Sequence, residues 1–103
     1  MVKNLELLSG SVDIGGEEIY WELVRDAETG MVDERPVVVL SHGAGGSHAA
    51  WYQQVPVIGQ QCRVLTWDSR GFGNSTNRTG QMTPDNAAND LAAVLDHLEI
   101  SEA

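Results

Sequence analysis

Apolar and polar residues alternate along the first quarter of the chain, as they do in strands with one buried face. Residues 5–14 and 17–24 form two such stretches, joined by Gly15-Gly16. In the second stretch one face is apolar and the other polar, with Ile19, Trp21 and Leu23 alternating with Glu18, Tyr20 and Glu22. Because paired glycines accept the positive φ of a tight turn, the pattern predicts an antiparallel hairpin over residues 5–24.

A polar segment with four acidic residues, Asp26 to Pro36, follows the hairpin and predicts an exposed loop. The next run, Val37 to Leu40, is apolar without alternation, which is typical of a strand covered on both faces in a parallel sheet. Residues 64–67 repeat this pattern after a helix-like stretch at Ala49 to Gln54, where Pro56 breaks or restarts the helix. Strand, helix and strand at this spacing predict a βαβ unit.

The last element is a helix with a well-marked beginning. Thr83 stands at the N-cap position, Pro84 follows at the first helical position, and Asp85 favours the positive end of the helix dipole. One face of this helix is apolar at helical spacing, at Ala87, Ala88, Leu91, Val94, Leu95 and Leu98.

Together these elements predict a single α/β domain over residues 1–103, in which a βαβα core at 37–100 follows the hairpin and the exposed loop at 26–36. The formal net charge is −9, from 15 acidic and 6 basic residues. Such an excess of negative charge repels phosphate backbones and anionic lipid surfaces, which argues against nucleic-acid and membrane partners. The longest apolar run, Val37 to Leu40, is far too short to cross a bilayer.

Cys62 is the single cysteine of the sequence, so no disulfide can form within it. This fits a reducing compartment, and Cys62 is interpreted as a small apolar residue entering a strand. The segment after Met1 contains no apolar core of a secretory signal. We therefore expect a cytoplasmic location.

Two glycine-containing loops, each directly after a predicted buried strand, carry the candidate chemistry. The first spans residues 41–46 with the sequence SHGAGG, and the second spans residues 68–75 with the sequence DSRGFGNS. Glycines let the backbone turn sharply and expose N–H groups with no side chain in the way. Two N–H groups aimed at one point can stabilise the oxyanion that forms in acyl transfer.

In this order the two loops resemble those of the α/β-hydrolase family, which has an HG-x loop after its third strand and a D-x-R-G-x-G-x-S loop after its fourth. Trp51 stands between them, where many members place a tryptophan. The resemblance covers about residues 5–103 and identifies the chain as an N-terminal portion of such a domain. It implies a hydrolase that needs no cofactor and acts on small-molecule esters, lactones or related acyl compounds through a nucleophile, an acid and a histidine.

The resemblance also implies roles for residues of both loops. The backbone N–H of Ala44 would form half of an oxyanion hole, in a loop shaped by Gly43 and Gly45. Dehalogenases often place an asparagine at this position, whereas alanine suits esters, lactones, carbon–carbon bonds or epoxides. Two residues are expected along the substrate pocket, namely Trp51 and His48. Four are expected to brace the loops, namely His42 behind the first, and Asp68, Arg70 and Ser75 through hydrogen bonds within the second.

The nucleophile is not expected among these residues. In the family the order is nucleophile, acid and then histidine, so all three are expected beyond Ala103, with Ser, Asp or Cys as the nucleophile. Ser47 has part of the G-x-S-x-G spacing but lies too far past the Val37–Leu40 strand. His97 is expected to face solvent near the end of the last helix. No group of His, Cys and carboxylates has metal-ligand spacing, so no metal is expected.

Two rival interpretations stay open at this stage. A dinucleotide-binding half-domain would explain Gly43-x-Gly45 after one strand and Asp68 after the next, but His48 occupies the third glycine position. The other interpretation is a truncated or split chain that has the same fold, lacks catalytic activity and needs a partner. An apolar strand with an unpaired edge invites association, so the isolated chain is expected to self-associate and to be inactive.

Overall fold

The computed structural model describes residues 2–29 and 33–103. The regular elements in this part of the chain are, in order, β1 (Leu5–Ile14), β2 (Glu17–Asp26), a 3₁₀ turn (Ala27–Thr29), β3 (Val37–Ser41), a 3₁₀ turn (His48–Trp51), α1 (Val55–Ile58), β4 (Arg63–Trp67) and α2 (Pro84–His97). The predicted hairpin is therefore present, and its second strand runs two residues further than residue 24.

The four strands form one mixed sheet in the order β1-β2-β4-β3. The hairpin pairs antiparallel, with Leu5 opposite Asp26 and Ile14 opposite Glu17, around two glycines at positive φ. β2 pairs antiparallel with β4, and β4 pairs parallel with β3. An antiparallel hairpin followed by parallel strands with crossover helices is the predicted α/β arrangement, which is thus confirmed.

The core lies between one face of the sheet and α2. On β2 the buried apolar side chains are Ile19, Trp21 and Leu23, as the alternation predicts. The other buried members of this cluster are Val37, Leu65, Trp67, Val94 and Ile100. Burying one large apolar side chain stabilises a fold by about 1.5–3 kcal/mol. Packing against the sheet therefore holds α2 in place.

The beginning of α2 follows its sequence signature, because the hydroxyl of Thr83 accepts a hydrogen bond from the N–H of Asn86 at 3.1 Å. Val94 is completely buried on the predicted apolar face. Ala88 is exposed, but it lines one groove together with Ala87 and Leu91 of the same face. A charged residue, Asp90, is completely buried on this helix.

β3 lies at the edge of the sheet, where β4 is its single neighbour among the described residues. Val37 is buried, whereas Val38, Val39 and Leu40 are only half-buried. The prediction of a strand covered on both faces is therefore met only in part by the described residues, and no strand among them pairs with the outer edge of β3.

The segment 26–36 was predicted as an exposed loop, and this was wrong for two of its carboxylates. Asp26 and Asp33 are buried, and the Arg35 side chain donates to both oxygens of Asp33. Burial opposes ionisation of Asp33, but hydrogen bonds from Arg35 and from the N–H of Asp26 outweigh it, so its pKa lies below the usual range. Gly30, within the same predicted loop, lies outside the described residues.

The helix predicted at residues 49–54 is replaced by two shorter pieces, the 3₁₀ turn His48–Trp51 and α1. Pro56 lies in the first turn of α1, where a missing N–H costs no helical hydrogen bond, so it restarts the helix. None of the helices in residues 2–29 and 33–103 has the length and apolar character needed to span a membrane.

Candidate active site

A tight turn follows β3, at the edge of the sheet where the parallel strands β3 and β4 both end. The N–H of Gly46 donates to the carbonyl oxygen of Gly43 at 3.0 Å, and Gly45 has φ +83°. A hydrogen-bonded turn with positive φ at its third residue has type II geometry, which glycine fits best. Ala44, the second residue, is exposed. Within the described chain no group accepts a hydrogen bond from the N–H of Gly43, Ala44 or Gly45.

His42 joins this turn to the second loop. Its Nδ1 lies 2.7 Å from the carbonyl oxygen of Gly43, and its Nε2 lies 3.1 Å from both the backbone nitrogen and the Oγ of Ser69. Because a carbonyl oxygen accepts and a backbone N–H donates, Nδ1 carries the hydrogen and Nε2 accepts. The ring also packs edge-on against Phe72, with centroids 5.5 Å apart. His42 thereby fixes the carbonyl group that closes the turn.

Asp68, the first residue after β4, is completely buried at the centre of the second loop. Its carboxylate accepts hydrogen bonds from the N–H of Asn74 at 2.8 Å and from the Nδ1 of His48 at 2.9 Å. Gly73 lies so close that a Cβ there would overlap Oδ2 of Asp68, and its φ is +51°. The loop conformation therefore requires glycine at position 73.

Ser75 closes the second loop and joins it to the hairpin. Its hydroxyl donates to the carbonyl oxygen of Asp68 at 2.6 Å and accepts from the N–H of Tyr20 at 2.9 Å. The next N–H, that of Thr76, donates to the carbonyl oxygen of Glu18 at 3.0 Å. The loop is therefore held both from within and by β2.

Glu17 holds the continuation of this loop, a role that the sequence analysis missed. Its buried carboxylate accepts from the N–H of Arg78 at 2.8 Å, from the N–H and hydroxyl of Thr79, and from the hydroxyl of Thr76. The hydrogen bond from Arg78 is the largest cause that lowers the pKa of Glu17 to about 2. The signal was present in the alternation, since position 17 shares the buried face of β2 with Ile19.

Arg70 does not form its hydrogen bonds within the second loop, which corrects the expectation for this residue. Its Nε and Nη2 donate to the two carboxylate oxygens of Asp90 on α2, at 2.7 and 3.0 Å. Both side chains are largely buried, and the hydrogen bond to Asp90 raises the pKa of Arg70. Asp90 was not among the predicted site residues, although it stands four residues before Val94 on the same face of α2.

A groove of about 300 Å³ opens beside His42, between the ends of β3 and β4 and the start of α2. Its other walls include Trp67, Ser69, Met82, Ala87 and Leu91. His48 lines a different groove, of about 310 Å³, with Leu7, Glu22 and Tyr52. The indole N–H of Trp51 is buried and has no hydrogen-bond partner among the described residues. Neither predicted pocket residue, His48 or Trp51, lines the groove beside His42.

Comparison with known proteins decides the family. Residues 36–103, about two-thirds of the chain, match the family model described as the alpha/beta hydrolase fold. The chain belongs to this family. The match begins just before β3 and covers both loops.

Its relatives include proteins named as an enol-lactonase and as a putative carbamate hydrolase. The 3-oxoadipate enol-lactonase 2 of Acinetobacter baylyi is 33% identical over 70 residues, which are 68% of this chain and 26% of that protein. A Caulobacter segnis protein named as putative carbamate hydrolase RutD is 38% identical over 71 residues, 67% of this chain and 27% of that protein. The enol-lactonase structure from Burkholderia xenovorans LB400 matches with a TM-score of 0.81 at 26% identity, covering 91% of this chain and 35% of that one. The chain thus spans about a quarter of the curated relatives' length.

Membership in the α/β-hydrolase family overturns the dinucleotide-binding alternative. That alternative assigns Asp68 to a ribose, but here the Asp68 carboxylate is completely buried and bonded to His48 and Asn74. The sheet also begins with an antiparallel hairpin, which a dinucleotide-binding half-domain lacks.

No nucleophile–histidine–acid triad forms among the residues that the structure describes. The Ser47 hydroxyl accepts a backbone N–H and caps the 3₁₀ turn. Ser69 lies beside His42, but its own N–H already donates to Nε2, and the other ring nitrogen faces a carbonyl. His97 is exposed near the end of α2. The same part of the chain contains no group of three His, Cys, Asp or Glu residues that could hold a metal ion.

Proposed function

We propose that this chain supplies the oxyanion loop of a cofactor-independent hydrolase that acts on esters, lactones or related acyl compounds. The observation that supports the proposal most directly is the N–H of Ala44, which is presented at the end of β3 with no partner in the described chain. Glycines on both sides leave room for a substrate carbonyl to approach. Hydrogen-bond donors aimed at a developing oxyanion are usually the largest electrostatic contribution to acyl transfer.

In the full-length protein the reaction begins when a nucleophile from a later segment attacks the carbonyl carbon of the substrate. The carbonyl oxygen gains negative charge and accepts hydrogen bonds from the N–H of Ala44 and from the N–H after the nucleophile. The intermediate then collapses, and the leaving alcohol or enol takes a proton from the triad histidine. Water hydrolyses the acyl-enzyme and restores the nucleophile.

The proposed substrate class rests on the relatives' names and on the residue at position 44. A lactone and a carbamate share a carbonyl oxygen that becomes negatively charged during hydrolysis. Ala44 provides a backbone donor and a methyl group, without the side-chain amide that would hold a leaving halide. A small compound with an ester-like carbonyl therefore fits this loop better than a haloalkane.

The path of the chain after α2 supports a later segment beside β3. Residues 99–103 and residues 34–37 line one groove at the beginning of β3. In a longer protein, the next residues start near the beginning of β3, whose outer edge has no paired strand in residues 2–29 and 33–103. We propose that they add a parallel strand there, which would end close to the turn Gly43–Gly46 (the oxyanion turn) and bring the nucleophile to it.

The full-length gene product tests this proposal. The purified protein is assayed on a p-nitrophenyl ester, a lactone and a carbamate, and is then treated with a fluorophosphonate that labels activated serines. We expect hydrolysis, together with one labelled serine outside residues 1–103. Hydrolysis without labelling would indicate an Asp or Cys nucleophile, whereas the absence of both hydrolysis and labelling contradicts the proposal.

A second candidate function is a non-catalytic or split chain that works only with a partner. Two observations favour it, namely the lack of a triad among the described residues and the half-buried apolar edge strand β3. We expect residues 1–103 alone to be inactive and to self-associate through β3. Sedimentation velocity over a concentration series measures the self-association, and an esterase assay measures the activity. A monodisperse monomer with esterase turnover would contradict this candidate function.

A further inference from the structure

The side chain of His48 lies between two carboxylates from different strands. Its Nδ1 is 2.9 Å from each oxygen of Asp68, which follows β4, and its Nε2 is 3.3 Å from Oε2 of Glu22 in β2. The hydroxyl of Tyr20 donates to the same Glu22 oxygen, and the Tyr20 ring packs against the imidazole with centroids 5.0 Å apart. Contacts at both nitrogens and on the ring therefore fix the orientation of His48.

Asp68 needs such a partner because its carboxylate is completely buried. A buried carboxylate is costly unless hydrogen bonds or an opposite charge compensate it. In residues 2–29 and 33–103 no lysine or arginine pairs with Asp68, since Arg70 pairs with Asp90. Within this part of the chain, His48 provides the single side-chain hydrogen bond to the Asp68 carboxylate.

The two oxygens of Asp68 hold different segments. Oδ1 accepts the backbone N–H of His48, two residues after the oxyanion turn, whereas Oδ2 accepts the N–H of Asn74 in the second loop. Rotation of the carboxylate would weaken both hydrogen bonds. The Nδ1 of His48 opposes this rotation because it lies at the same distance from both oxygens.

We propose that His48 is a positioning residue that fixes the Asp68 carboxylate and thereby holds the oxyanion turn against the second loop. The effect on catalysis rests on the proposed function, while the effect on Asp68 does not. His42 precedes the glycines of the turn and contacts Ser69, and His48 follows them and contacts Asp68. The turn is therefore connected to the second loop at both of its ends.

Two substitutions separate the contacts of His48. An asparagine places a side-chain N–H near the position of the imidazole Nδ1, whereas a glutamine reaches the position of Nε2. His48→Asn therefore keeps the donor to Asp68, His48→Gln keeps a polar group at the position of Nε2 near Glu22, and His48→Ala keeps neither. Tyr52→Ala is the control, because Tyr52 lines the same groove, is 72% exposed and has no hydrogen bond to Asp68.

In the full-length protein, we expect His48→Gln and His48→Ala to lower kcat about tenfold with KM changed less than about twofold, because a misplaced donor affects the transition state most. His48→Asn and Tyr52→Ala should keep kcat within about twofold of wild type. The amide resonances of Gly46 and Asn74 report the same geometry without any assay. They should shift with Gln and Ala at position 48 and stay in place with Asn.

Wild-type kcat and unmoved amide resonances in His48→Ala would overturn the inference. Equal losses of kcat in His48→Asn and His48→Gln would also overturn the inference. Such a result would indicate that the His48 ring acts through packing alone. If the wild-type protein hydrolyses none of the substrates, the proposed function fails. The amide resonances then still decide whether His48 positions Asp68.

Discussion

The loop after β3 and the loop after β4 differ in how they use their backbone N–H groups. In the turn Gly43–Gly46, one N–H closes the turn, and the other three have no acceptor among the described residues. In the second loop and the residue after it, several N–H groups donate to acceptors in the loop, in the hairpin or in His42, namely those of Ser69, Gly71, Phe72, Asn74, Ser75 and Thr76. The first loop leaves donors available, whereas the second uses them to hold its own shape.

This difference shows how the turn Gly43–Gly46 can be held in place with few hydrogen bonds of its own. N–H groups that serve a substrate cannot also hold the loop that presents them. The turn after β3 is instead held from outside by His42 and His48, which contact Ser69 and Asp68 of the second loop. We therefore expect the rigidity of the second loop to matter for activity without any contact between that loop and the substrate.

Detaching the second loop from α2 should cause the largest loss of stability. Arg70→Met leaves the Asp90 carboxylate buried without its charge partner, which costs about 3–5 kcal/mol. The matched control is Arg25→Met, whose partner Glu6 is partly exposed, so the expected loss is below about 1 kcal/mol. Urea unfolding of the full-length protein measures both free energies, and equal losses would argue against the Arg70 contact as an anchor.

Adding a methyl group at Gly73 should cause the next largest loss of stability. Gly73→Ala combines positive φ with overlap onto the Asp68 carboxylate, for an expected cost of about 3 kcal/mol. Gly80 also has positive φ, but a Cβ added there would have nothing within 4 Å, so Gly80→Ala should cost only about 1 kcal/mol. Urea unfolding of the full-length protein measures the free energy of unfolding of both variants. A Gly73→Ala variant no less stable than Gly80→Ala would show that the second loop rearranges freely.

A smaller loss of stability, which depends on pH, is expected when Glu17 is replaced. Its pKa of about 2 in the folded state is below the ordinary value of 4.5, so the unfolded state binds more protons between these values. The stabilisation by ionised Glu17 is complete above about pH 4.5 and is lost as the pH falls toward 2. The difference in Tm between wild type and Glu17→Gln should therefore shrink with acidification. A difference independent of pH would contradict this role.

The elements whose signals are local were predictable from the sequence. The alternation over residues 17–24 was sufficient for the hairpin, and Thr83 followed by Pro84 was sufficient for the start of α2. The burial of β3 was predicted less well, because burial depends on neighbouring elements as well as on the apolar run itself. The two loops were located by their glycines and by their order after the parallel strands.

The contacts that hold the candidate site were not predictable from local patterns. His48 and Asp68 are 20 residues apart, and Glu17 and Thr79 are 62 apart. Polar side chains carry no periodicity that reveals such partners, so Arg70 was expected to bond within its own loop rather than to Asp90. Inward-facing carboxylates at Glu17 and Asp90 were the available clues, because each occupies an apolar position of its element's pattern.

Removal of the Ala44 N–H is the most direct test of the proposed oxyanion loop. Proline fits the second position of a type II turn and removes the N–H, and Gly43 before it tolerates the added restriction. In the full-length protein, Ala44→Pro should lower kcat about 10²–10³-fold with the free energy of unfolding little changed. Ala44→Gly, which keeps the N–H, should lose far less. A folded Ala44→Pro variant with wild-type kcat would contradict a role for this N–H in stabilising the oxyanion.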